Sequence, residues 1–239
     1  MRSIYRNLSF AGAFFLLAGC SEMTAVSRNE EGVQFYQQAR YTDALKQFQE
    51  ASYADSSNAD AFYNLAATYH RIGKQYNSTA DLKMAEDNYN LALDRNGNHT
   101  AAYRGLAVLL AEQGRTQDAF HLLERWVARE PNVGDAKVEL ARLCEEYGDK
   151  NAAKEHLIEA LAVQKDNPRA LAALAKLQDE SGNYQQALTN YQRSLEADNR
   201  QPQVAARVAA LQSTVAPTSS YAPIGGTRMA DGPSTTRRY

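Results

Sequence analysis

Small side chains recur along this chain at a fixed interval. Gly32, Ala66, Ala107, Ala141 and Ala175 stand 34, 41, 34 and 34 residues apart. Ala44, Ala85, Ala119, Ala153 and Ala187 follow with gaps of 41, 34, 34 and 34, and Gly73, Gly114, Gly148 and Gly182 with 41, 34 and 34. The seven extra residues of the long gap therefore fall between Gly73 and Ala85. A period of this length marks an array in which each unit leaves an apolar face bare and covers it only by stacking on its neighbour. Between the fixed points, apolar residues return every three or four positions, as in Val138, Leu140, Ala141 and Cys144 and again in Ala153, Leu157, Ala160 and Leu161. That is the spacing of a helix with one buried face. Two helices per unit account for both observations, because two backbones approach closely only where neither presents a large side chain.

These residues resemble the tetratricopeptide repeat, a helix-turn-helix unit with small residues at positions 8 and 20, glycine at 15 and alanine at 27. The resemblance divides the chain into repeats 25–58, 59–99, 100–133, 134–167 and 168–201, with Leu106, Leu140 and Leu174 all at position 7. It implies an all-α fold, a right-handed α-solenoid of five repeats, with the position-15 glycine ending each first helix in a left-handed cap. Residues 202–213 open with proline and present Val204, Val208 and Leu211, as a capping helix over the last apolar face would. Residues 214–239 are rich in Pro, Gly, Ser and Thr and carry a net charge of +2, and are expected to be a disordered tail. Two departures stand out. Trp126 occupies position 27 of its repeat, where it should displace the next helix unless Gly134 and Ala136 make room. The insertion, residues 75–81, is expected to lengthen a turn, with Ser78 and Asp81 forming a cap for a restarted helix.

At the N-terminus, Arg2 and Arg6 precede an apolar run from Leu8 to Leu17 that ends in Leu17, Ala18, Gly19 and Cys20. A transmembrane helix needs about 18 or more apolar residues, so this layout reads as an export signal over residues 1–19. Small residues before a cysteine resemble the bacterial lipobox. That resemblance implies acylation of Cys20, a short lipidated linker over 20–24 and attachment to the outer membrane, facing the periplasm. About two acyl chains suffice for stable anchoring. A repeat array behind such an anchor resembles the Tad/Flp and type IV pilus assembly lipoproteins, whose partners are secretin and pilus components. An adaptor docking peptidoglycan hydrolases or proteases is the alternative.

Little in the chain suggests catalysis. With 26 basic against 28 acidic side chains, no surplus of positive charge is available to neutralise a nucleic-acid backbone. His70, His99, His121 and His156 form no metal-binding spacing, and no cofactor is expected beyond the lipid on Cys20. Cys144 sits on an apolar face ahead of Glu145 and Glu146, a setting for a buried structural thiol and not for a nucleophile. The reading is a non-enzymatic scaffold. The resemblance places positions 2, 5, 6, 9, 12 and 13 of each first helix on a concave, peptide-binding groove. The groove candidates are then Tyr36, Tyr63, Asn64, His70, Arg71 and Arg104 in an aromatic and basic half, with Arg142 and Lys176 among Glu145, Glu146, Asp179 and Glu180 in the other. Asn64 and Arg104 also resemble two members of a clamp for a C-terminal carboxylate, but Asn29 and Val33 stand where that clamp needs Lys and Asn.

The lipobox generates a direct test. Cys20→Ala should abolish incorporation of a palmitate analogue and leave the precursor unprocessed by the lipoprotein pathway; normal labelling of the mutant would remove the anchor from the account.

Overall fold

The computed structural model describes residues 24–215; the export signal, Cys20 and the tail from 216 onward lie outside the described residues. All regular structure within them is helical. The helices are α1 (24–37), α2 (Tyr41–Ala54), α3 (Ala59–Tyr76), α4 (Thr79–Arg95), α5 (Thr100–Glu112), α6 (Thr116–Arg129), α7 (Gly134–Glu146), α8 (Lys150–Val163), α9 (Pro168–Glu180), α10 (Tyr184–Ala197) and α11 (Pro202–Val215). They pair as A and B helices, α1 with α2 through α9 with α10. α11 covers the last pair, with Val208 and Leu211 packed in a cluster with Ala187, Leu188 and Tyr191. Its last turn takes in the first two residues assigned to the tail from the sequence.

The crossings carry the small residues that the period marks out. Ala44, Ala66, Ala85, Ala107, Ala119, Ala153, Ala175 and Ala187 are completely buried. At Gly32 a single added carbon would stand 2.5 Å from the ring of Phe48, so glycine is what admits that ring to the first crossing. Successive A helices touch, α3 with α5, α5 with α7 and α7 with α9, whereas successive B helices have little or no contact among the described residues. The stack therefore curves with its A helices on the inner arc.

Gly114, Gly148 and Gly182 end α5, α7 and α9 with φ of 77°, 87° and 81°, the left-handed cap that glycine adopts without strain. Repeat two departs from this. α3 continues past Gly73, and Asn77 takes the left-handed turn with φ 52°. Gly73 instead lets α4 approach, since a carbon there would lie 2.7 Å from Leu82. The insertion does not lengthen the turn, as the sequence suggested. It adds helix: α3 has 18 residues where α5 has 13, and α4 has 17 where α6 has 14. Ser78 does restart the chain as a helix, its hydroxyl accepting from the Asp81 N–H.

Trp126 packs within its own repeat and against the loop before it. It lies flat on Tyr103, ring centroids 4.0 Å apart and planes within 6°, and its indole N–H donates to Asn98 Oδ1 at 3.0 Å. Gly134 is not what accommodates it. The atoms nearest that glycine belong to Gln164 and Ala160, so its small size serves the approach of α8. Among the described residues no helix is long and apolar enough to cross a membrane.

Because the crossings are full, adding volume there should strain the pair. Ala119→Leu or Ala153→Leu should cost about 1–3 kcal/mol, while Lys154→Ala, on an exposed turn of α8, should change stability by less than about 0.5 kcal/mol. Thermal melts that reverse this order would contradict the packing described.

Candidate interaction face

The inner arc is lined by the A helices, and its two halves differ in chemistry. Between α1 and α3 lies a pocket of ≈ 280 Å³ lined by Val33, Tyr36, Gln37, Phe48, Tyr63, Asn64 and Ala67. Tyr36, Tyr63 and Asn64, all singled out from the sequence, meet here. Tyr36 is half-buried, its ring edge-on to Tyr41 at 5.4 Å, and its hydroxyl pKa is raised by burial and by Tyr41. Tyr63 is tilted against His99 at 5.1 Å and Tyr89 at 6.2 Å, so its ring is fixed by α4 and by the residue that caps α5. The Asn64 amide donates to Asn29 Oδ1 at 2.9 Å and ties α3 to α1. Arg71 stands at the rim, where its Nε donates to the Tyr41 hydroxyl at 3.3 Å. A carbon added at Gly105 would come within 2.5 Å of the Tyr89 ring, which shows why this inward-facing position of α5 is bare.

His70 is elsewhere. It is buried behind the inner face, with Nε2 2.9 Å from Glu112 Oε2 and Nδ1 3.5 Å from the Tyr89 hydroxyl. Lys74 donates to the other Glu112 oxygen at 2.5 Å. Burial pushes the Glu112 carboxyl up, but the hydrogen bonds from Lys74 and His70 outweigh it and hold the group below the ordinary value.

From α5 onward the inner face is a ladder of ion pairs between neighbouring repeats. Its centre is Glu139 on α7, a residue with no solvent exposure. Arg104 from α5 grips it with two nitrogens, Nε at 3.0 Å and Nη2 at 2.6 Å. Arg169 from α9 donates to the same carboxylate and also to Asp135 at 3.1 Å. Arg142, one turn along α7, reaches Glu139 at 3.3 Å and Glu146 at 2.8 Å, while its remaining Nη2 is buried without a partner among the described residues. Burial raises the Glu139 carboxyl, and the arginine hydrogen bonds and charges more than reverse this, so its pKa is lowered. Further along, Lys176 pairs with Glu145 and Arg207 of α11 with Asp179. Arg104, Arg142 and Lys176, read from the sequence as groove residues, are thus engaged within the solenoid. Glu139 escaped that reading: the period places it on the inner face, but nothing in the sequence says which arginines it takes.

Cys144 is buried, and burial with the nearby Asp149 and Glu124 raises its thiol. Among the described residues no three His, Cys, Asp or Glu side chains converge as a metal ion would require.

Models of the tetratricopeptide repeat match residues 32–73, 81–134, 110–177 and 168–201. The chain belongs to the tetratricopeptide-repeat family. Its solenoid is similar to a thermophilic tetratricopeptide-repeat (TPR) protein of Thermus thermophilus, with 24% identity, a TM-score of 0.58 and coverage of 79% of this chain and 99% of that one. It is also similar to the pilF structure of Pseudomonas aeruginosa, with 18% identity, a TM-score of 0.53 and coverage of 81% and 85%. These likenesses show the fold. Among curated relatives, cellulose synthase operon protein C of Xanthomonas axonopodis is 28% identical in an alignment of 158 residues that covers 48% of this chain and 10% of that protein. RNA polymerase II-associated protein 3 of Xenopus laevis is 26% identical in an alignment of 195 residues that covers 73% of this chain and 28% of that protein. The chain spans less than a third of either relative. TPR arrays serve protein–protein interaction, and nothing in these relatives or in the face described points to an enzymatic activity.

The Glu139 lock gives a prediction about stability and pH. Removing one partner of a buried ion pair costs about 3–5 kcal/mol, and solvent at the half-exposed arginines reduces that, so Glu139→Ala should cost about 2–3 kcal/mol. Since the folded carboxyl has the lower pKa, its stabilisation is present above the unfolded carboxylate value and fades as pH falls through the folded one. Urea melts of the wild type should therefore weaken on acidification by more than those of Glu139→Gln; identical pH dependence would show that the lock contributes nothing.

Proposed function

We propose that this TPR protein is a lipid-anchored scaffold of a bacterial envelope, held through Cys20 and presenting the pocketed half of its inner face to a protein partner during assembly of a pilus or secretin machine. The observation that carries the reading is the pocket between α1 and α3. It is concave, it gathers two tyrosines, a phenylalanine and two amides, and surface aromatics of this kind anchor interfaces. The rest of the inner face spends its charges on itself.

An anchor at Cys20 would be joined to the pocket's end of the molecule. Cys20 stands four residues before the start of α1, a reach of at most about 14 Å, and Val33 follows nine residues into the helix, about 14 Å further. A chain acylated at Cys20 would hold this end close to the bilayer and leave the α11 end free. The combination of a lipobox with a repeat array supports the assignment to pilus or secretin assembly through its resemblance to such lipoproteins. The likeness to the pilF structure agrees with this reading at the level of fold.

Tyr36→Ala combined with Tyr63→Ala should lower capture of the outer-membrane secretin at least tenfold, with lipid labelling and helicity unchanged. Glu145→Ala combined with Asp179→Ala should alter it less than twofold. Full capture by the tyrosine double mutant would overturn the pocket's role, and recovery of cell-wall hydrolases in place of a secretin would reassign the scaffold.

A further inference from the structure

The charges around the pocket define what kind of peptide it can take. Among the basic side chains on the inner face, Arg104, Arg142 and Arg169 are committed to Glu139, Lys176 to Glu145, Arg207 to Asp179 and Lys74 to Glu112. Arg71 is different. It is exposed, its hydrogen bond goes to the neutral hydroxyl of Tyr41, and it pairs with no carboxylate among the described residues. A guanidinium presents five donors in a fixed fork, and most of them here face solvent. Tyr41 packs edge-on against Tyr36, which lines the pocket, so Arg71 stands one ring beyond the pocket wall.

The other end of the pocket carries the opposite sign. Glu30 on α1 is exposed, forms no ion pair among the described residues, and lies one turn before Val33. The Asn64–Asn29 hydrogen bond sets the level of α3 against α1. From that level to Arg71 is seven residues, two helical turns or about 10 Å, with Ala67 of the pocket between. The wall of the pocket is aromatic and apolar apart from Gln37 and Asn64, and beyond its two ends stand a cation, Arg71, and a carboxylate, Glu30, neither with an ionic partner among the described residues.

We infer that this pocket selects a peptide that places an apolar side chain in the hole and a carboxylate about two residues away, directed to Arg71 and away from Glu30. The inference rests on the reading of the pocket as the binding site and adds the chemistry of the partner. An extended peptide advances about 3.3 Å per residue, so two residues cover the roughly 6 Å from the level of Ala67 to that of Arg71. The apolar contact supplies most of the affinity, and the exposed charge pair fixes direction and is weakened by salt. A second carboxylate on the far side would meet Glu30.

The test uses the immobilised full-length chain and synthetic hexapeptides built on glycine and serine, containing leucine and aspartate two residues apart in both orders. Matched peptides carry asparagine or lysine for the aspartate, or glycine for the leucine. The leucine–aspartate peptides should bind at least fivefold more tightly than the asparagine set and more tightly still than the lysine set, a preference that should shrink as salt is raised. Arg71→Gln should erase the aspartate preference and keep the leucine preference, whereas Tyr63→Ala should erase the latter. Glu30→Gln should improve binding of a peptide with aspartate on both sides of the leucine. Leucine dependence without a charge preference, or an aspartate preference that survives Arg71→Gln, would overturn the inference and leave the pocket reading intact. Absence of leucine dependence, or leucine dependence untouched by Tyr63→Ala, would remove the pocket reading itself and this inference with it.

Discussion

Every level of this structure depends on how closely two helices approach at an alanine or glycine crossing. A fully buried methyl group on each partner lets A and B helices pack with little between them, and the larger side chains then fill the flanks. Phe48 enters the first crossing only because Gly32 faces it, and Leu123 and Leu157 are buried beside Ala119 and Ala153. Close pairs then stack so that A helices touch A helices, and curvature follows from this asymmetry. The inner arc is a consequence of where the chain places its smallest residues.

Curvature brings inward-facing positions of adjacent repeats within hydrogen-bonding range, and the chain uses that proximity in two ways. From α5 to α11 it places opposite charges opposite one another, with Glu139 receiving arginines from three helices. Buried ion pairs are costly to break even where they add little net stability, so this half is fixed in register and has few free groups to offer. Between α1 and α3 the contacts are made by amides and rings. An amide pair ties α3 to α1, Tyr36 packs edge-on against Tyr41 of α2, and a hole remains between α1 and α3. The two halves differ in what they leave unpaired: one holds the solenoid together, and the other is where the proposed function has a partner bind.

Period and small residues made the helices and their pairing legible in the sequence, because both follow from local spacing. Tyr36, Tyr63 and Asn64 were legible as inward-facing for the same reason. Partner choice along the inner face was not. Arg104 resembles an open anchor in the sequence, and only the one-repeat offset between α5 and α7 shows that Glu139 claims it. The insertion misled because seven extra residues carry no mark of loop or helix by themselves. Asn77 tolerates the left-handed turn and Ser78 caps α4, so the added length could be absorbed by extending both helices. Trp126 misled in the opposite sense, since its size suggested displacement, whereas Tyr103 offers a flat surface and Asn98 an acceptor for its N–H.

Under the proposed function a partner engages the aromatic end of the inner arc and leaves the ion-pair ladder undisturbed. Amide chemical-shift perturbation on adding a captured partner, or the peptide segment derived from it, measures this residue by residue. The shifts should gather on residues 30–37 and 60–71, with those of 139–180 within error of the free protein. Shifts concentrated on 139–180, on the B helices or on residues 75–81 would contradict it.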